Sequence, residues 1–336
     1  MPEVIRIPEG QMEQEFRRIL LKFDFETKKA EQCAHIFATN SLEGIYSHGV
    51  NRFARFIQSV KEGHIDPKAE PKKKHSSGAL EQWDGGFGPG PLNATFCTER
   101  AIELSAEYGI GCVAIGRTNH WMRAGYYGWQ AARAGFALIA WTNTNANMPA
   151  WGALDCHLGN NPMVLAVPYE SEAIVLDVAM SQFAYGTLDV YRLGGRKLPI
   201  AGGYDASGSL TTDPSAILET QRVLPMGYWK GSGLSLLLDI LSTILSGGLS
   251  VKQITDRGSE HGLSQVFIAA DISSLGNQHL IPKAISDIIH DYHSSKPASK
   301  GASILYPGER VLRSRKENSE TGIPVNQTVW SEILSL

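Results

Sequence analysis

The residues best spaced for chemistry in this chain are Tyr46-Ser47-His48-Gly49, with Arg52 four positions beyond the histidine. Histidine titrates near neutral pH and so suits proton transfer. An arginine fork matches a carboxylate through two parallel hydrogen bonds. Behind them Val50, Phe53, Phe56, Ile57 and Val60 recur at helical spacing, and Ser47 is a residue type that caps helix starts. The pattern predicts a helix that begins at His48, with Ser47 as its N-cap, and closes at Gly63. His48 and Arg52 then lie one turn apart on one face, a proton donor and a carboxylate clamp opening on one space. A capped surface helix with an incidental histidine and arginine is the competing reading.

Other stretches offer places for a substrate or cofactor. The apolar run 111–115 delivers Thr118-Asn119-His120-Trp121 at its end, where polar groups often serve function. The run Ala173-Ile174-Val175-Leu176 ends at Asp177. An acid at a strand end can accept from ribose hydroxyls and would repel a 2′-phosphate; a turn-capping aspartate is the alternative. Lys230, flanked by Gly227, Gly231 and Gly233, precedes a strongly apolar segment. Ammonium, helix dipole and free N–H groups would there make an anion site, unless the glycines mark only a helix entry. Residues 84–90 (DGGFGPG) fit neither GxGxxG nor a P-loop and read as a turn.

These groups need elements to hold them. Met12, Phe16, Ile19 and Leu20 predict a helix over 11–23, and Ala30, Cys33, Ala34 and Phe37 one over 27–39. Residues 67–77, polar with two prolines, read as an exposed loop. Strands are expected at 79–83, 111–115, 136–142, 163–167, 173–176 and 265–270, with a helix over 91–108. Residues 186–228 read as a long irregular excursion. The helix running to Ser246 is apolar almost all round and is expected to be central and buried. A helix near 282–293, a turn at 307–310 and a short closing helix complete the chain.

At 336 residues there is room for two or three lobes. The 43% hydrophobic and 19% charged content is that of a soluble globular protein. A net charge of −3 gives no reason to expect nucleic acid or a membrane surface. Cys33, Cys97, Cys112 and Cys156 are scattered, and read as buried thiols of a reducing compartment. The N-terminus has no signal-peptide pattern and the run 234–245 is too short to span a bilayer, so a cytoplasmic location is expected. A metal-dependent hydrolase using His48, His120 and His157 is a rival, but no ligand spacing supports it and no metal is expected.

Several segments together resemble the malate/L-lactate dehydrogenase-like oxidoreductases: YSHGVNRF at 46–53, NHWMRAGYYGWQAA at 119–132, NNP at 160–162, LDVAMS at 176–181, GYWKGSG at 227–233 and PGER at 307–310. The resemblance runs nearly end to end. It implies an α/β, non-Rossmann fold with a mixed, largely antiparallel sheet. A helical lobe would draw on 1–75 and 280–336, with an NAD-binding α/β region at 76–279 and an irregular insertion at about 186–228. It implies His48 as proton donor, with Ser47, Arg52, Asn119 and His120 as further active-site candidates. NAD would be held by Ala173, Ile174, Val175, Leu176, Asp177, Val178 and Ala179, the pair Trp229-Lys230, and Gly308-Glu309-Arg310; Asp177 leans toward NADH over NADPH. A homodimer acting on a small-molecule sugar acid is implied as well. EQWD at 81–84, WMRAGYYGWQ and PMGYWKGSG are similar to the branch that reduces 2-oxo (diketo) sugar acids. Malate-, lactate- or ureidoglycolate-type 2-hydroxy acid dehydrogenation and cyclic imine reduction are the alternatives within the family, and non-catalytic sugar-acid binding a remote one. Two departures are Asn160, where the family pattern GTNP has threonine, and a 169–173 stretch one residue longer than the pattern. A helix start and a neighbouring arginine both disfavour imidazolium, so His48 is expected to be neutral until a substrate carboxylate arrives.

Overall fold

The computed structural model describes residues 3–336. Its first elements are β1 (Val4–Ile7), α1 (Glu9–Lys22), α2 (Thr27–Leu42) and α3 (Val50–Lys61). Their apolar stripes close on an aromatic centre: Phe16 stacks on Phe53 at 4.0 Å between ring centroids, and Phe37 meets Phe53 edge-on at 5.2 Å. Burying such a side chain fully contributes about 1.5–3 kcal/mol. Ile323, Val325, Trp330 and Ile333 from the C-terminal end join this core.

The middle of the chain builds β2 (Lys72–Ser77), β3 (Leu80–Asp84), α4 (Gly90–Tyr108), β4 (Ile110–Thr118), α5 (Ala124–Arg133), β5 (Phe136–Thr142), the short β6 (Met148–Pro149) and β7 (Cys156–Leu158), β8 (Met163–Tyr169) and β9 (Glu172–Val178). The excursion that follows holds α6 (Tyr185–Leu193), a small hairpin of β10 (Gly203–Tyr204) and β11 (Leu210–Thr211), and α7 (Pro214–Thr220). Next come α8 (Trp229–Ser246), α9 (Val251–Asp256), β12 (Leu263–Asp271), α10 (Ile281–His293) and α11 (Glu309–Thr321). The chain ends with β13 (Ile323–Asn326), antiparallel to β1, and α12 (Gln327–Leu334).

Seven strands form one sheet in the order β2-β3-β4-β12-β5-β8-β9. Among its neighbours β3 and β4 run parallel and the rest antiparallel, which is the mixed, largely antiparallel sheet expected. α4 and α5 cover one face over Val113, Ile115, Leu138, Ala140 and Phe267. Gly128 lets α5 approach this closely, since a Cβ there would stand 2.9 Å from Val164 Cγ2 and Val175 Cγ1. Leu238 of α8 and Leu188, Ile217 and Val223 of the excursion cover the other face.

Several local expectations are corrected. Residues 72–77 are not loop but an exposed edge strand, whose lysines suit an edge facing water. Residues 307–310 are not only a turn, because Glu309 opens α11, a helix so polar that no apolar stripe marks it. α8 is not buried all round. Ser235, Ser242 and Ser246 bring it close to the sheet beside Leu238, leaving Trp229 66%, Leu237 55% and Ile244 61% exposed. Cys33 and Cys97 are buried, whereas Cys112 and Cys156 are partly exposed. No helix among the described residues is long and apolar enough to cross a membrane.

Candidate active site

His48 is carried by one turn of 3₁₀ helix, Tyr46–His48, and α3 begins only at Val50. The expected cap is therefore wrong in its residue. Ser41, from the end of α2, accepts the Val50 N–H at 2.8 Å, while the Ser47 hydroxyl lies 3.0 Å from His48 Nδ1. Gly49 makes this possible, because a Cβ there would stand 2.2 Å from Ser41 Oγ. Asn40 adds a hydrogen bond of 3.1 Å to the His48 carbonyl. The turn bearing the histidine is thus pinned to α2 by its backbone. At the far end of α3, Gly63 takes the left-handed conformation expected of a helix stop.

The end of β4 brings the second histidine. His120 lies face-to-face with His48, ring centroids 5.7 Å apart and planes 27° off parallel. Its Nδ1 accepts the Met122 N–H at 2.9 Å, so any proton on the neutral ring sits on Nε2. That Nε2 faces Glu260 Oε1 at 4.0 Å. Asn119 lines the cleft as well, but its amide nitrogen is taken up by the carbonyls of His64, Phe87 and Gly88 at 2.8–3.1 Å and ties loops together. The cleft itself measures about 340 Å³ and is lined by Arg52, Arg55, His64, His120, Ser259 and Glu260 among others.

Charge in this cleft is strongly perturbed. Burial, with Arg52 and Arg123 adding positive charge, pushes His48 down to about 4. Burial, Arg52, His48 and Arg55 likewise hold His120 well below its ordinary value. Both imidazoles are neutral at pH 7, as expected for His48. Burial raises the carboxyl of Glu260, with Arg52 and Arg55 opposing that rise.

The three expected cofactor segments lie along β9, an edge strand of the sheet. The Val175 N–H donates to the Pro307 carbonyl at 3.0 Å, and Gly308, at φ +100°, sits flat against Val175. That contact brings Gly308-Glu309-Arg310 beside Ala173–Ala179. Glu309 is engaged by His293 at 3.0 Å and Arg313 at 2.7 Å. Past the end of β9 the Met180 carbonyl accepts the Met226 N–H at 2.8 Å and lies 3.0 Å from where a Cβ on Gly231 would stand, which joins Trp229-Lys230 to the same strand. One expectation fails here. The N–H groups of Lys230, Gly231 and Ser232 are bonded to Gly227, Met226 and Tyr228, so the exposed Lys230 side chain and the helix dipole remain for an anion, without those amides. Tyr228, at φ +61°, enters α8 in a conformation that non-glycine residues rarely adopt.

Asp177 lies within β9, so it caps no turn; it accepts the Gly125 N–H at the start of α5 at 2.8 Å and keeps 31% of its side chain exposed. Arg123 Nε stands 3.8 Å away. Arg123 is itself buried against Glu43, which also holds Arg315, and Arg315 reaches Glu172 at 3.0 Å. This chain of charges, together with Glu260, was missed in the sequence. The one available signal was the position of Arg123 inside WMRAGYYGWQ. His157, by contrast, is 77% exposed and paired with Asp155, outside any group of ligands fit for a metal among the described residues.

A nicotinamide dinucleotide suits these residues: two buried polar atoms beside the strand, Ser181 Oγ and Arg123 Nε, have no hydrogen-bond partner, and an extended polar ligand could meet them.

Comparison with known proteins places the chain in a family. The family model described as malate/L-lactate dehydrogenase matches residues 7–334. A 2,3-diketo-L-gulonate reductase of Escherichia coli O127:H6 is 45% identical over 327 residues, covering 97% of this chain and 98% of that protein. The crystal structure of malate dehydrogenase from Entamoeba histolytica superposes with a TM-score of 0.92 at 24% identity, covering 99% of this chain and 98% of that one. Sulfolactate dehydrogenase from Methanocaldococcus jannaschii gives 0.90 at 28% identity, with the same coverage. The chain belongs to the malate/L-lactate dehydrogenase family and is an oxidoreductase, of a kind that implies a nicotinamide cofactor.

Proposed function

We propose that the protein reduces a 2-oxo (diketo) sugar acid, foremost 2,3-diketo-L-gulonate to 3-dehydro-L-gulonate, with NADH as reductant and His48 as proton donor. The observation that carries this reading is a polar cleft lined by Arg52 and His120, with the His48 ring stacked on His120 at 5.7 Å, in a chain 45% identical to a reductase named for that substrate. Held by Ala173–Ala179, Trp229-Lys230 and Gly308-Glu309-Arg310, NADH would supply the hydride for the ketone carbon. Arg52 pairs with the substrate carboxylate and sets the carbonyl toward the imidazole. His48 gives its proton to the developing alkoxide, and the arriving carboxylate offsets the positive charges that keep His48 neutral beforehand. The partly exposed carboxylate of Asp177 favours NADH, since a 2′-phosphate would meet its charge. The helical lobe, 1–75 with 280–336, would then carry the proton donor and the Gly308-Glu309-Arg310 part of the dinucleotide site, and 76–279 the rest of that site, in a cytoplasmic enzyme.

Loss of NADH absorbance, followed with a panel of 2-oxo acids and both reduced cofactors, tests the reading. The highest kcat/KM is expected for 2,3-diketo-L-gulonate with NADH. A higher value for oxaloacetate, pyruvate or a cyclic imine would sink it.

We further propose a homodimer. The outward stripe of α8, with Leu236, Leu237, Ile240, Leu241 and Ile244 all substantially exposed, is an apolar surface that a second copy would cover. Sedimentation should return twice the 36.6 kDa chain mass, and a monomer at micromolar concentration would refute the pairing.

A further inference from the structure

Glu260 has no part in the reduction as described, yet it stands in the cleft. It lies on the loop between α9 and β12, its side chain 17% exposed, among Arg52, Arg55 and His120. A site that only clamps an anion has no use for an acid, which weakens its attraction for the substrate. Glu260 is not absorbed by a salt bridge either: none of 4.0 Å or less joins it to Arg52 or Arg55, although both guanidiniums pull on its charge. The Asn145 backbone N–H favours its charged form, and across the cleft His120 Nε2 faces its Oε1 at 4.0 Å. That nitrogen is a donor, because Nδ1 is taken by the Met122 N–H. The ring stays neutral, so the contact is not an ion pair. A gap of 4.0 Å is too long for a direct hydrogen bond. One hydroxyl oxygen can bridge it: accepting from Nε2 and donating to the carboxylate, at about 2.8 Å to each, it spans roughly 4–4.6 Å.

We propose that Glu260 and His120 form a donor–acceptor pair that reads one hydroxyl on the substrate's tail, selecting polyhydroxylated acids over plain ones. This rests on the sugar-acid reading above for the identity of the reacting end, but the recognition of a hydroxyl stands by itself. A hydrogen bond to a charged group supports a discrimination of about tenfold.

The test is calorimetric titration of the protein with L-gulonate and with hexanoate, which share chain length and carboxylate and differ in hydroxyls. The wild type is expected to prefer L-gulonate by at least about tenfold. Glu260→Ala should erase that preference and leave hexanoate bound equally or more tightly, since a negative charge has left the cleft. Glu260→Gln, which keeps an acceptor, should retain part of it. General damage to the cleft would weaken both ligands together and overturn the proposal, as would a wild type without preference or an alanine variant that keeps it. A wild type that shows the preference, loses it in Glu260→Ala, and yet reduces no 2-oxo acid would support the hydroxyl reading while sinking the proposed reaction.

Discussion

His48→Asn is expected to lower kcat for ketone reduction by about 10²–10⁴-fold, the usual cost of removing a general acid, while leaving NADH affinity unchanged. Asparagine keeps a polar group of similar reach beside Ser47, so the 3₁₀ turn, held through Asn40, Ser41 and Gly49, should persist. The pH dependence gives a second readout. Reduction needs the protonated imidazole, whose value is about 4 in the free protein, so kcat/KM for reduction should fall as pH rises above that value. Oxidation of the hydroxy acid needs the neutral imidazole, so its kcat/KM should lose activity only as pH falls toward about 4. Both limbs should vanish in the variant. Near-normal turnover of His48→Asn, or wild-type profiles with these slopes reversed, would remove His48 from the reaction.

Much of the fold was legible because its elements carry clean periodicities. The stripes of Met12, Phe16, Ile19 and Leu20, and the runs that became β5 and β9, pack as their patterns require. What escaped was whatever periodicity does not encode. α11 (ERVLRSRKENSET) shows no apolar stripe, because beyond Val311 and Leu312 it is tied to its neighbours by charge, Arg315 reaching Glu43 and Glu172. The leucines of α8 look like core in a single sequence, since nothing local separates a face buried in the chain from one left exposed. Near His48 the residue types were readable, but the partner was not. Spacing offered Ser47 as the cap of α3, and only the close approach of Gly49 to α2 brings Ser41 to the Val50 N–H instead. Arg123 reaches His48 electrostatically and Asp177 by geometry only because α5 starts between them.

Arg52 should separate binding from proton transfer. Arg52→Gln removes the charged fork, so kcat/KM for a 2-oxo acid is expected to fall about 10–150-fold, the equivalent of about 1.5–3 kcal/mol for a charge-assisted hydrogen bond. A methyl ester of the same acid, which offers no carboxylate, should lose little. Arg52→Lys should fall between, keeping the charge without the planar fork. The same substitution acts on the histidine: Arg52 is one of the charges that hold His48 down, so its removal should move the alkaline fall of the reduction profile to higher pH. Loss of carboxylate affinity and an upward shift of the His48 titration are thus two consequences of one guanidinium. If Arg52→Gln weakened ester and acid alike and left the pH profile in place, Arg52 would be a structural cation and the carboxylate would have to be bound elsewhere, with Arg55 the next cation along the cleft.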